Sequence, residues 1–144
     1  MNKEYIEYVK KISLKANCIK GKVGAIIVKN NKIVAEGVNS VPNKIKPCTK
    51  ETCLRYKLNL KSGENQELCF VVHAEQNALI DALNNHIDVK DSTMYVTKQP
   101  CIICAKMLIN AGIKKIYYIE PYPDHYSEGL LKEAGVTIEQ VEEN

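Results

Sequence analysis

No stretch of this 144-residue chain approaches the long apolar run of a membrane helix, so the sequence predicts no helical span. Internal repeats and low-complexity tracts are also missing. The opening MNKEYIEYVKKISLKANC mixes acidic and basic residues and has no apolar signal core, which predicts a cytosolic protein. Arginine is nearly absent. With Arg55 alone, recognition of any phosphate must fall largely to lysines or backbone amides.

What is present suits one globular domain spanning 1–144, with 45% hydrophobic residues. Net charge is +3, divided as +8 over residues 1–72 and −5 over 73–144. That division either marks a basic surface for phosphate-bearing molecules or is diluted where the halves interleave. The six cysteines are Cys18, Cys48, Cys53, Cys69, Cys101 and Cys104. In a reducing cytosol, clustered cysteines point to metal or redox chemistry before disulfides.

Tyr5, Val9, Ile12 and Ala16 keep helical spacing and predict an amphipathic first helix. In KVGAIIVKNNKIVAEGVN, two apolar strands flank Asn30-Asn31, a pair suited to a tight hairpin turn. Residues 40–72 are polar and lysine-rich, with three of the six cysteines, and form an insert that something must tie down. Beyond it follow a helix over 73–84 and a strand over 92–97. CIICAKMLINAG then reads as a helix apolar almost all round, stopped by Gly112. A strand (KKIYYIE), a helix over 124–134 and an edge strand (VTIEQV) close the chain. The order α-β-β-α-β-α-β-α-β predicts a three-layer α-β-α sandwich with helices on both faces.

His73 and Glu75 lie two apart in FVVHAEQNAL, so on a helix they point in nearly opposite directions. Farther on, QPCIIC places Cys101 and Cys104 three apart, with Pro100 suited to a helix start. A helix N-terminus favours the thiolates that metals require. Two thiolates and one imidazole give zinc three ligands and leave a tetrahedral ion one open position for water. Glu75 then belongs beside that position as a base. Two thiolates cancel the ion's formal charge, so the water needs a separate proton acceptor. His73 holds the metal and Glu75 moves protons. Together, the two halves form the signature of zinc-dependent nucleobase deaminases.

HAEQNA, MYVTKQPCIICAK, INAGIKKIYY and LLKEAGV resemble the deoxycytidylate (dCMP) deaminases and the related late-competence proteins, over residues 18 to 141. The resemblance implies the cytidine-deaminase fold with a five-stranded mixed sheet. It also implies conversion of dCMP to dUMP and ammonia, within pyrimidine deoxynucleotide metabolism. It places Asn39 and Tyr122 near bound nucleotide and has the Ala74 N–H help hold the base. A strand-end turn for Asn39 and a rigid loop aromatic for Tyr122 are the other readings. Regulated members usually read Gly-Tyr-Asn-Gly where this chain has Gly37-Val38-Asn39-Ser40, which bears on control by dCTP and dTTP. Lys98 and Gln99 replace residues that are commonly apolar. A homo-oligomer, hexamer or dimer, is also implied.

Some resembled members carry a second, structural zinc held partly by cysteines equivalent to Cys18 and Cys48. A site formed by Cys18, Cys48, Cys53 and Cys69 would order the insert; four buried thiols are the alternative. The expected cofactor is therefore Zn²⁺, one ion catalytic and a second structural. A tRNA adenosine deaminase is the rival enzyme, and a competence-associated zinc module with an idle site the rival from another class. A long insert walling the pocket, and a modest net charge, favour a mononucleotide over nucleic acid.

Overall fold

Alternation along the apolar strands decides which helix packs where. Ala25 and Ile27 face one side of the sheet, and Ile26 and Val28 the other. Likewise Met94 and Val96 oppose Tyr95, and Ile116 and Tyr118 oppose Tyr117. The structure, a computed structural model, describes residues 1–142. Its five strands are β1 (Gly24–Lys29), β2 (Lys32–Val38), β3 (Thr93–Lys98), β4 (Lys115–Glu120) and β5 (Thr137–Gln140), in the order β2-β1-β3-β4-β5. β1 runs antiparallel to β2 and β3, while β3, β4 and β5 are parallel, so the sheet is mixed as expected.

Helix α1 (Lys3–Ser13) covers one face, burying Ile6, Val9 and Ile12 against Ile26, Val28, Tyr95 and Tyr117. Ala16 is buried as well, but lies beyond the helix, in the turn that follows it. The opposite face carries α3 (Ala74–Asn84), α4 (Ile102–Ala111) and α5 (His125–Glu133), over the larger core. At the hairpin, Asn30 and Asn31 take φ of 52° and 60°, the left-handed pair that joins Lys29 to Lys32. Gly112, at φ 87°, caps α4. The sequence predicts a largely buried α4, yet Met107 is open to solvent on its outer face.

The insert is ordered by polar contacts. It holds the one-turn helix α2 (Leu54–Lys57) and a 3₁₀ turn at Gln66–Leu68, and a Ser40–Val72 bridge closes its neck. The Thr52 hydroxyl donates to the Pro47 carbonyl at 2.7 Å, and the Cys48 N–H donates to Asn17 Oδ1 at 3.0 Å.

Gly37 sets the seat of α3. A Cβ there would press on the Ala78 backbone nitrogen and lie 2.5 Å from the Ala74 carbonyl oxygen. Gly37→Ala is therefore expected to destabilise the fold by about 1–3 kcal/mol and to displace the helix that follows His73. Denaturant unfolding checks this; an unchanged midpoint would contradict so close an approach.

Candidate active site

Two helix starts meet beside the ends of β3 and β4. His73 caps α3 with extended backbone, and its N–H donates to Gln76 Oε1 at 2.8 Å. Asn77 ties that helix to β2, its Nδ2 donating to the Val38 carbonyl at 2.7 Å. On the other side, Cys101 caps α4, so Pro100 stands before the cap instead of opening the helix. The reason is that Cys101 is itself extended, and Ile102 becomes the first helical residue. Asp124, the N-cap of α5, accepts from the Ile102 N–H at 2.9 Å through its second carboxylate oxygen. Ser127, fully buried, donates to the Pro100 carbonyl at 2.7 Å. These two braces hold the Pro-Cys turn, and the sequence signals them only as a helix cap and its neighbour.

His73 Nδ1 lies 3.2 Å from Cys104 Sγ and 3.5 Å from Cys101 Sγ, and the three atoms all fall within 4.8 Å of one another. Tetrahedral zinc, with Zn–S near 2.3 Å and Zn–N near 2.0 Å, sets its ligand atoms roughly 3.5–3.8 Å apart. The donor set fits. Without metal the thiol pair retains one proton. A hydrogen bond from Cys104, and then the His73 ring, draws Cys101 down to about 4. The same hydrogen bond, with burial, pushes Cys104 well up. The Cys101 hydrogen bond raises His73 above its usual range, against the effect of burial.

Glu75 is buried at 5% exposure beside this cluster. Burial raises its carboxyl above the usual range, while its own backbone N–H and the His73 charge act the other way. A carboxylate so placed is a stronger base than one in water.

A cavity of about 150 Å³ opens on the cluster, lined by His73, Ala74, Glu75, Cys101, Asn39 and Tyr122. All the expected pocket residues of this side therefore share one wall. Asn39 also has work inside the protein: its Oδ1 accepts from the Val23 N–H at 2.7 Å and its Nδ2 donates to the Gly21 carbonyl at 2.8 Å. One amide hydrogen is left over for a ligand. Ala74 begins α3, where helix geometry leaves backbone N–H groups without intrahelical acceptors. Lys98 and Gln99 gain a physical account here. Gln99 Oε1 accepts from the Tyr122 N–H at 3.2 Å, and Lys98 Nζ lies 5.2 Å from the Tyr122 ring centroid. The two polar residues position the loop tyrosine, a role apolar side chains could not fill.

The insert closes the remaining wall with Arg55, Ser62, Gly63, Gln66 and Cys69. Sequence reasoning expected a wall there without naming these residues. Cys18, Cys48, Cys53 and Cys69 all line a second cavity of about 410 Å³. Burial, and behind it the nearby Cys18 and Cys53 thiols, pushes the Cys48 thiol up. Among the described residues, only His73, Cys101 and Cys104 meet the spacing of a metal cluster, so the four gather around a space without closing on it.

A model of the cytidine and deoxycytidylate deaminase zinc-binding region matches residues 1–120. ComE operon protein 2 of Bacillus subtilis is 36% identical over 132 residues, covering 91% of this chain and 66% of that protein. Deoxycytidylate deaminase of Saccharomyces cerevisiae is 32% identical, covering 88% of this chain and 40% of the yeast protein. The chain thus spans two fifths to two thirds of these relatives. The crystal structure of the dCMP deaminase of cyanophage S-TIM5, in complex with dCMP and dUMP, superposes with a TM-score of 0.82 at 33% identity. It covers 96% of this chain and 95% of the phage one.

Proposed function

The chain belongs to the cytidine and deoxycytidylate deaminase family, and we propose that it is a zinc-dependent enzyme hydrolysing dCMP to dUMP and ammonia. The observation that carries this reading is a buried carboxylate, Glu75, beside a His/Cys/Cys cluster in a cavity walled by the insert. Zinc held by His73, Cys101 and Cys104 supplies a Lewis acid that acidifies water. Glu75 would take a proton from the water that adds to C4 of cytosine and pass it to N3. It would then carry the proton of the new C4 hydroxyl to the departing amine, so that ammonia leaves and the carbonyl forms. The Ala74 N–H and the spare Asn39 amide hydrogen hold the nucleotide, and Tyr122 stands beside it.

A mononucleotide is the partner that a cavity walled on one side by the insert suits. Ammonia release across dCMP, deoxycytidine, dCTP, CMP and a tRNA anticodon stem tests this. The expected result is turnover of dCMP, with a salt slope of about one or two phosphate contacts. Inosine formation in tRNA, with no ammonia from dCMP, would promote the tRNA reading. An idle competence module has no use for a buried base at Glu75, and silence on every substrate would favour it. dCTP and dTTP enter the same assay as effectors.

We propose that one domain carries this activity and that it works in the cytosol. Separately, no helix among the described residues is long and apolar enough to cross a membrane. We place the enzyme in a homo-oligomer, a hexamer or dimer, because Ile80, Leu83 and Met107 leave the outer faces of α3 and α4 apolar and exposed. We also assign a second, structural zinc to Cys18, Cys48, Cys53 and Cys69, supported by the cavity they share. Wild-type protein prepared without chelators is then expected to hold two zinc ions per chain. Cys48→Ser should lose one of them and make the insert protease-sensitive. One ion per chain in wild type counts against the second site.

A further inference from the structure

Among the described residues, Arg55 is a buried cation, 8% exposed, with no ion-pair partner. Its Nε donates to the Glu64 carbonyl at 3.1 Å, and Nη2 donates to the Lys61 carbonyl. Those bonds use two of five guanidinium donors and leave three. Carbonyls do not neutralise the charge, and a buried unpaired charge is costly. An anion brought by the ligand would offset that cost.

The surroundings say where the anion sits. Arg55 lies between the two cavities and lines both, and its positive charge acts on His73 and Tyr122 of the one that opens on the metal cluster. The two carbonyls it grips flank Ser62 and Gly63, so the guanidinium pins the turn that closes the cavity over Tyr122. At Gly63, φ is 83° and an added Cβ would lie 3.0 Å from the Tyr122 hydroxyl. Lys20 and Lys98 also line the cavity, whereas its one carboxylate is Glu75. Its lining joins the His/Cys/Cys cluster and Glu75 to three cations, Arg55, Lys20 and Lys98.

We propose that Arg55 reads the 5′-phosphate of the substrate, making the insert the element that tells nucleoside monophosphates from nucleosides. A fork of parallel N–H donors, fixed in place by two carbonyls, matches phosphate oxygens in a way a flexible lysine does not. Lys20, whose Nζ donates to the Leu60 carbonyl, and Lys98 add charge from the flanks. This inference rests on the dCMP reading and narrows it to one residue.

Because the chain has a single arginine, its side-chain signals in a ¹⁵N–¹H NMR spectrum are assigned without ambiguity. Saturating dUMP is expected to shift the Arg55 Nε–H resonance, and deoxyuridine to leave it in place. A resonance unmoved by saturating dUMP overturns the proposal. In parallel, Arg55→Gln should lower the ratio of kcat/KM for dCMP to that for deoxycytidine by about 10²-fold, and Arg55→Lys by about tenfold. An unchanged ratio marks Arg55 as a brace of the insert only and also overturns the proposal. The spectrum decides even where Arg55→Gln fails to fold, since it uses wild-type protein. If wild type deaminates dCMP while Arg55 stays silent, only this inference falls; if dCMP is no substrate, the functional reading itself falls.

Discussion

Glu75→Gln is expected to lower dCMP turnover by on the order of 10³-fold or more while leaving zinc bound. The substitution keeps side-chain shape in a site with 5% exposure, so packing changes little. What disappears is the capacity to take and return a proton. One positioned acid–base group is worth roughly 10²–10⁴, and this one acts at both N3 and the leaving amine. His73, Cys101 and Cys104 are untouched, so metal content should match wild type. The pH profile gives a second check. Glu75 must be ionised to accept a proton, and burial raises its pKa above the ordinary 4.5. Wild-type kcat/KM should therefore fall as pH drops through a value above 4.5, and the glutamine variant should lack that limb. A variant that sheds zinc, or keeps most of its rate, contradicts the division of labour between His73 and Glu75.

Cys104→Ser is expected to weaken zinc binding by at least roughly 10²-fold, since it removes one thiolate from a set whose total affinity is about 10 kcal/mol or more. The position is 1% exposed, and the serine hydroxyl will not ionise there. Zinc uptake by the wild type should also release protons, because metal ligands must be deprotonated. In the metal-free site the hydrogen bond to Cys101 raises His73 and Cys104 above their ordinary values, so zinc must displace protons that both groups hold more tightly than free side chains do. Zinc affinity should therefore climb as pH rises. Calorimetry in buffers of different ionisation enthalpy counts those protons; uptake with no proton release would contradict the coupled thiol pair.

Much of this site was legible because its chemistry is local. His73, Ala74 and Glu75 are adjacent, Cys101 and Cys104 share one turn, and each motif stands at a helix start that capping and apolar spacing announce. The strands were equally plain, because β1 and β3 are apolar on both faces and the Asn30-Asn31 turn is encoded by two residues. Arg55 was not legible as a pocket residue. Its placement depends on carbonyls at Lys61 and Glu64, and hydrogen bonds to backbone leave no trace in side-chain pattern. Asp124 and Ser127 were missed for a related reason: each braces a turn more than twenty residues away in the chain. In the sequence Gly37 stands out only within the Gly37-Val38-Asn39-Ser40 stretch that bears on nucleotide control, whereas in the fold it lets α3 approach the sheet.

The central claim is that water adds to a cytosine ring beside Glu75. Incubating the zinc-loaded protein with dCMP in H₂¹⁸O measures this directly. The account predicts dUMP carrying one ¹⁸O at C4, formed with one equivalent of ammonia, and no such product with Glu75→Gln. Zinc-loaded wild type that yields no dUMP, or dUMP without the label, would contradict it.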